Sequence, residues 1–195
     1  VLARLPDAPK GNKGISLFLV PKYYDDEKGN RIKNDIKVVS IEHKLGHTAS
    51  PTCVLSFGEN NECVGELIGE PHNGLKAMFT MMNNARLNVG IQGVAIAERA
   101  YQKALSFARE RKQGFSFKKG KKESVNIIEH PDVKRMLLEM KSQIEAMRGL
   151  AVFTAETIDY SSKLSNIEQR KEYLNLSSLL TPIVKAWCTD QSVTI

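Results

Sequence analysis

Residues 74–113, GLKAMFTMMNNARLNVGIQGVAIAERAYQKALSFARERKQ, read as one helix of about forty residues entered from a strand-rich segment. At ~1.5 Å per residue such a helix runs about 60 Å. A compact globule of 195 residues has a radius of gyration of only about 16 Å. The helix is therefore too long to serve a small domain alone and must pack against other long helices or another subunit. Leu75, Met78, Met82, Ala85, Val89, Gly93 and Ile96 fall at helical spacing and form one apolar stripe. Gly90 and Gly93 each cost roughly 1 kcal/mol relative to Ala in a helix interior, and their presence argues for close approach by another helix or a ligand.

On the amino-terminal side of the helix, Gly69-Glu70-Pro71-His72-Asn73-Gly74 is a turn cluster that ends a region of strand periodicity. Four strands are expected there: Gly14–Val20 stopped by Pro21, Ile36–Ile41 after Asn34-Asp35, Thr52–Phe57 closed by Gly58, and Glu62–Ile68. Tyr24 to Asn30 reads as a polar turn. On the carboxy-terminal side, Pro131 suits the first position of a second helix, which carries Val133, Met136, Leu137, Met140, Ile144, Met147 and Leu150 and runs to about Ser161. A third helix starts near Asn166 and continues to the end, with a kink expected at Pro182. Short connections make these helices antiparallel neighbours. The fold class is α+β, with antiparallel β structure over 1–70 followed by a long-helix antiparallel bundle over 71–195. Val1 reads as mid-strand and Gln191–Ile195 carries no helix-stop signal, so both ends are expected to be truncated.

Hydrophobic residues make up 42% of the chain, enough for one core or two. The longest uncharged runs, Ala49–Gly58 and Leu87–Ala97, are too short to span a bilayer, and VLARLPDAPKGNKG holds no apolar signal region. Cys53, Cys63 and Cys188 lack the C-x-x-C spacing of a zinc or redox site and are expected to be reduced, buried thiols of a cytoplasmic protein. Much of the formal charge of +6 gathers in Lys118-Lys119-Gly120-Lys121-Lys122, read as a solvated loop between helices. No basic stripe with interleaved aromatics and no zinc-finger spacing accompanies it, so nucleic acid is not the expected partner. His43 and His47 are four apart, but a strand precedes them and Gly46 interrupts, so they read as turn histidines and no metal site is expected. All six methionines, Met78, Met81, Met82, Met136, Met140 and Met147, sit at helical spacing and read as core packing.

Several stretches, taken together and in order, resemble the acyl-CoA dehydrogenase family. Gly14-Ile15-Ser16-Leu17-Phe18-Leu19-Val20-Pro21-Lys22 is similar to a strand of that family's middle β domain. Glu42-His43-Lys44-Leu45-Gly46 with Ala49-Ser50-Pro51-Thr52 is similar to its K-L-G-x-x-x-S-x-T turn, and Leu67-Ile68-Gly69-Glu70 through Gly74 to the passage into its helical domain. Asn83-Asn84-Ala85-Arg86 and Ala108-Arg109-Glu110-Arg111-Lys112-Gln113 complete the series. Each motif alone is weak, but five in family order over residues 14–160 are specific. Met81–Leu87 and Ile128-Glu129-His130-Pro131-Asp132-Val133-Lys134-Arg135-Met136-Leu137 further resemble a long-form branch that includes methylthiopropanoyl-CoA dehydrogenases.

The resemblance implies that 1–70 is the carboxy-terminal part of a middle β-barrel-like domain and 71–195 an incomplete helical domain. It also implies FAD as cofactor, an acyl-CoA thioester as substrate, an electron-transfer flavoprotein as electron acceptor, and a homodimer or tetramer. Arg111 matches the arginine that reaches the FAD pyrophosphate of a neighbouring subunit, and Gln113 a nearby polar contact. From the residues alone, an arginine at a helix end would cap carbonyls or be solvated. Ser50 matches a position beside the flavin, although a Ser before Pro51 is in itself a turn former. Asn83, Asn84, Ala85 and Arg86 match the turn that lies along the acyl-CoA; the residue-level reading of Asn83 and Asn84 as mere polar helix faces stays open beside it. The catalytic glutamate is expected in a Gly-rich turn beyond Ile195, and the strands that hold the flavin ring before Val1. Glu98, Glu110, Glu139 and Glu156 read as ordinary helix-face charges, and no catalytic residue is assigned. Two rival readings are a non-catalytic helical scaffold that has kept the fold and a nucleic-acid module built on the lysine run.

Overall fold

Short antiparallel strands occupy the first part of the chain and three long helices the second, in a computed structural model that describes residues 1–115 and 124–195. The strands are β1 (Leu2–Arg4), β2 (Ile15–Leu19), β3 (Tyr23–Asp25), β4 (Arg31–Lys33), β5 (Ile36–Ile41), β6 (Cys53–Phe57) and β7 (Glu66–Ile68). Helix α1 (Gly74–Glu110) follows, then β8 (Lys112–Phe115), β9 (Ser124–Asn126), α2 (Pro131–Lys163) and α3 (Ile167–Thr194). The chain divides into two compact units, Val1–Thr80 and Met81–Ile195.

In the first unit β2 is the central strand of a three-stranded sheet, with Leu17 opposite Leu2 of β1 and Ile68 of β7. Strands β3 and β4 form a hairpin, and β5 pairs with β6 through a register shift near Val38–Ser40. No closed barrel is formed among the described residues. Strand β7 is shorter than the expected 62–68 for a physical reason. The backbone N–H and carbonyl of Val64 are taken by the buried Asn34 side chain at 2.9 and 2.7 Å, so they are not available to a strand ladder. The Asn34 amide also donates to Pro21 O at 2.8 Å, so one side chain ties three segments together. Ser16 is fully buried in β2 and its hydroxyl accepts the His72 N–H at 2.9 Å. A Cβ at Gly74 would lie 2.4 Å from the Ser16 carbonyl carbon, so only glycine lets the first turn of α1 lie on that strand.

Helix α1 ends at Glu110, short of the expected Gln113. Asn126 Nδ2 donates to Arg109 O at 2.6 Å and Ile127 N to Arg111 O at 2.8 Å, so the last carbonyls leave the helical pattern. Lys112–Phe115 then pairs with Ser124–Asn126, with a register shift inside the pair and Gly114 at φ +70°. Helix α2 begins at Pro131, as expected, and runs two residues beyond Ser161. Asn166 caps α3, its side chain accepting from Glu168 N at 2.9 Å and Gln169 N at 3.2 Å. Helix α3 is helical on both sides of Pro182.

Chain direction follows from the contacts. Gly90 faces Val184 and Gly93 faces Cys188, so α1 and α3 run parallel. Arg148 of α2 meets Glu98 of α1 at 2.7 Å, and Cys188 Sγ approaches Met147 O at 3.9 Å. Helix α2 therefore lies against both, antiparallel to α3 across their three-residue connection. The core of the bundle is Val94, Ala97, Ile144, Met147, Ala151, Val184 and Cys188. The buried face of α1 thus runs through Gly90, Gly93, Val94 and Ala97, whereas Ala85 and Ile96 of the expected stripe are exposed, Ile96 to 61%. The small residues win this face because they let two helix backbones approach closely, and the neighbouring large side chains are carried to the outside.

Candidate functional site

Two groups of sequence-selected residues lie in the second unit, one at each end of the run from Asn83 to Gln113. Arg111 and Gln113 are two apart where α1 passes into β8, a spacing that puts both on one face of an extended strand. Their backbone is held at three successive alternate carbonyls. Asn126 Nδ2 binds Arg109 O at 2.6 Å, Ile127 N binds Arg111 O at 2.8 Å, and the His130 ring Nε2 meets Gln113 O at 2.7 Å. The side chains themselves are exposed. Neither the Arg111 guanidinium nor the Gln113 amide has a hydrogen-bond or ion-pair partner among the described residues. An open, always-charged guanidinium with an amide beside it, on an anchored backbone, offers several donors to one anionic group.

The second group is one turn of α1 in which Asn83, Asn84 and Ala85 are exposed and Arg86 is half-buried. Arg86 Nη1 donates to Asn83 Oδ1 at 3.3 Å, and Asn88 Nδ2 donates to Asn84 Oδ1 at 3.4 Å. Ala85 offers no polar side-chain atom. From Arg86 to Glu110 the helix rises about 36 Å, so one chain cannot bring Arg86 and Arg111 to the same small group. Ser50 lies in the first unit, in an exposed loop after β5. Its N–H donates to His47 O at 3.0 Å, and the Lys44 ammonium donates to the carbonyls of Ser50 and His47, which closes the Lys44-Leu45-Gly46 turn. This is the turn-forming arrangement its place before Pro51 suggests. His47 takes φ +54° within it, and His43 and His47 join no metal-binding group among the described residues.

The four glutamates expected as helix-face charges each have a hydrogen-bond or ion-pair partner. Glu98 accepts from Gln102 at 2.9 Å and Arg148 at 2.7 Å, and Glu110 from Ser106 at 3.1 Å. Glu139 pairs with Arg135 at 3.1 Å and Glu156 accepts from Tyr160 at 2.8 Å. The three cysteines are free; Cys188 is fully buried and its burial pushes the thiol up, whereas Cys53 and Cys63 are half-buried. Lys118, Lys119, Lys121 and Lys122 lie outside the described residues. His130 was visible in the sequence only as part of the Ile128–Leu137 stretch. Its contact with Gln113 spans 17 positions, and no periodicity or spacing rule announces it.

Antiparallel strands followed by three long helices define the chain as an α+β protein whose second part is a long-helix bundle. Residues 72–190 match the acyl-CoA dehydrogenase C-terminal domain, and the chain belongs to the acyl-CoA dehydrogenase family. It is 46% identical over 196 residues to 3-methylmercaptopropionyl-CoA dehydrogenase of Ruegeria pomeroyi, which covers 100% of this chain and 33% of that relative. It is 40% identical over 198 residues to a butyryl-CoA dehydrogenase of Syntrophomonas wolfei, covering 98% and 32%. Among solved structures, ACDH-11 of Caenorhabditis elegans in complex with C11-CoA matches 99% of this chain and 30% of its own, with a TM-score of 0.76; at 24% identity this likeness is one of fold. The chain spans about a third of the length of the curated relatives it matches.

Proposed function

We propose that this chain is the central part of an FAD-dependent acyl-CoA dehydrogenase that introduces a double bond between Cα and Cβ of an acyl-CoA thioester. The family match is the observation that carries this reading. The 46% identity to the Ruegeria pomeroyi enzyme favours 3-methylthiopropanoyl-CoA as the substrate. Residues 1–70 would then be the end of the middle β domain and 71–195 most of the helical domain.

Arg111 and Gln113 fit a diphosphate by their chemistry. Arg111 supplies only donors and Gln113 an NH2 donor beside them, their side chains are not engaged by other described residues, and their backbone is anchored at three carbonyls. They are the residues that would hold the pyrophosphate of FAD, with Ser50 as a further contact toward the flavin. FAD, when bound, supplies the acceptor for the hydride that leaves Cβ. Asn83, Asn84, Ala85 and Arg86 would line the acyl-CoA, with Arg86 offering charge-assisted donors to it. The rise of about 36 Å between the two groups favours a homodimer or tetramer in which Arg111 serves a neighbouring subunit's cofactor. The proton at Cα needs a carboxylate base, which we place beyond Ile195, in the Gly-rich turn that the family resemblance implies. An electron-transfer flavoprotein is the proposed acceptor, and the cytoplasm the proposed compartment. No described helix is long and apolar enough to cross a membrane.

The test is the visible spectrum of the full-length protein, purified without added cofactor and then mixed with 3-methylthiopropanoyl-CoA, butyryl-CoA and longer thioesters. Flavin absorbance that bleaches with one thioester is the expected result. A colourless protein that cannot be reconstituted with FAD would leave a non-catalytic scaffold as the better reading. Arg111→Ala is expected to weaken FAD binding by about one to two orders of magnitude, the loss of a charge-assisted contact of roughly 1.5–3 kcal/mol. Unchanged FAD affinity would remove the Arg111 assignment.

A further inference from the structure

We propose that His130 is a positioning residue for the cofactor-binding strand: its imidazole fixes the Gln113 carbonyl and so aims the Gln113 side chain beside Arg111. This inference rests on the assignment of those two residues to the FAD pyrophosphate.

His130 precedes Pro131, in the N-cap position of α2. Ser, Thr, Asp or Asn at such a position accepts a hydrogen bond from the first helical N–H groups. His130 makes no such bond, so helix stability does not account for the imidazole. Its ring instead reaches back to β8, where Nε2 lies 2.7 Å from Gln113 O. A carbonyl oxygen only accepts, so Nε2 carries the proton and donates. The ring also lies against Gly114, where an added Cβ would come within 3.3 Å of ring carbon Cε1 and 3.4 Å of Nε2. Gly114 has φ +70°, a conformation that glycine accepts without steric cost. The strand is thus bent and bare where the ring seats.

Position follows from the order of the anchors. Arg109 O is held by the Asn126 side chain, Arg111 O by Ile127 N, and Gln113 O by His130. Arg111 N also donates to Phe107 O at 2.8 Å, so the Arg111 backbone is held on both sides without His130. Lys112 and Phe115 pair with Asn126 and Ser124, and Gln113 and Gly114 fall in the register shift between those pairs. The His130 bond holds this irregular step, because it pins the Gln113 carbonyl to the start of a 33-residue helix. Pre-setting the backbone of a flexible side chain lowers the ordering cost of the phosphate contact that Gln113 makes beside Arg111.

The experiment is FAD titration into the deflavinated full-length protein, followed by quenching of flavin fluorescence. The variants are His130→Phe, which keeps a ring without the donor, and His130→Gln, whose Nε2 can occupy the donor's place. His130→Phe should raise the FAD dissociation constant about fivefold to tenfold, the weight of one neutral hydrogen bond, and His130→Gln should recover most of that loss. In a Gln113→Ala background, His130→Phe should add little, because the side chain it aims is gone. An unchanged dissociation constant for His130→Phe overturns the inference, as does equal weakening by Phe and Gln. A full additional loss in the Gln113→Ala background also overturns it, since that is the signature of a general structural role. The Arg111→Ala single variant separates the two readings: if it binds FAD normally, the cofactor assignment itself has failed.

Discussion

Asp26 sits at the turn between β3 and β4 and collects nearby donors: Asn30 Nδ2 at 3.0 Å, Asn30 N at 2.8 Å and Lys28 N at 2.9 Å. The Asn30 side chain is the largest cause, with its backbone N–H next, of a carboxyl held below its ordinary range. The folded state therefore binds the proton less well than the unfolded state does. The turn's stabilisation is full above the ordinary carboxylate range and is lost as pH falls through the depressed value. We expect the Lys28 and Asn30 amide proton resonances to titrate together, below that ordinary range, and to lose this titration in Asp26→Ala; an NMR pH series checks it. The sequence marked Tyr24 to Asn30 as a polar turn but not its flanking strands, because two strands of three residues carry too little alternation to be seen. Motif order singles out Arg111, Gln113 and the Asn83–Arg86 turn as candidates. The anchoring of Arg111 and Gln113 was not legible in the sequence, because Asn126 and His130 come from a segment 17 positions away.

Two glycines separate packing from propensity at the scale of an element. A Cβ on Gly93 of α1 would lie 2.6 Å from Cys188 O and 2.9 Å from its carbonyl carbon, both backbone atoms that cannot rotate away. A Cβ on Gly149 of α2 meets nothing within 4 Å. Gly93→Ala is therefore expected to cost ~1–3 kcal/mol through overpacking. Gly149→Ala should gain ~0.5–1 kcal/mol by reducing the freedom of the unfolded chain at a helical position. Urea denaturation of the two variants, read for opposite shifts in midpoint, decides this. Helix starts were well marked in the sequence, since Pro131 and Asn166 act within their own first turn. The end of α1 was not, because residues 111–113 have helix-compatible side chains and are diverted by hydrogen bonds from β9 and the residues after it.

For the molecule as a whole, burial in the bundle outweighs its exposed charges. Met147 is fully buried and lies in one core with Val94, Ala97, Ile144, Val184 and Cys188. Its neighbour Arg148 reaches Glu98 at 2.7 Å, but the two side chains are 48% and 30% exposed. Met147→Ala should cost ~2–5 kcal/mol, whereas Arg148→Ala should cost no more than about 1 kcal/mol because water screens the pair. Thermal unfolding that ranks the variants the other way would show that the ion pair, not the core, holds α2 on α1.

The sequence by itself determined the class: strands followed by three long helices, the family to which they belong, and the local starts and turns. Those features depend on residues close together in the chain or on motifs strung along it in order. Only the tertiary structure decided which arc of α1 is buried. Val89 and Ile96 lie beside Gly90, Gly93, Val94 and Ala97, so two overlapping faces are both apolar. The backbone of α3 selects the small one, because only there can Val184 and Cys188 approach. The same holds for the corner at Arg111, whose backbone direction is set by donors that the fold brings back from β9 and the residues after it.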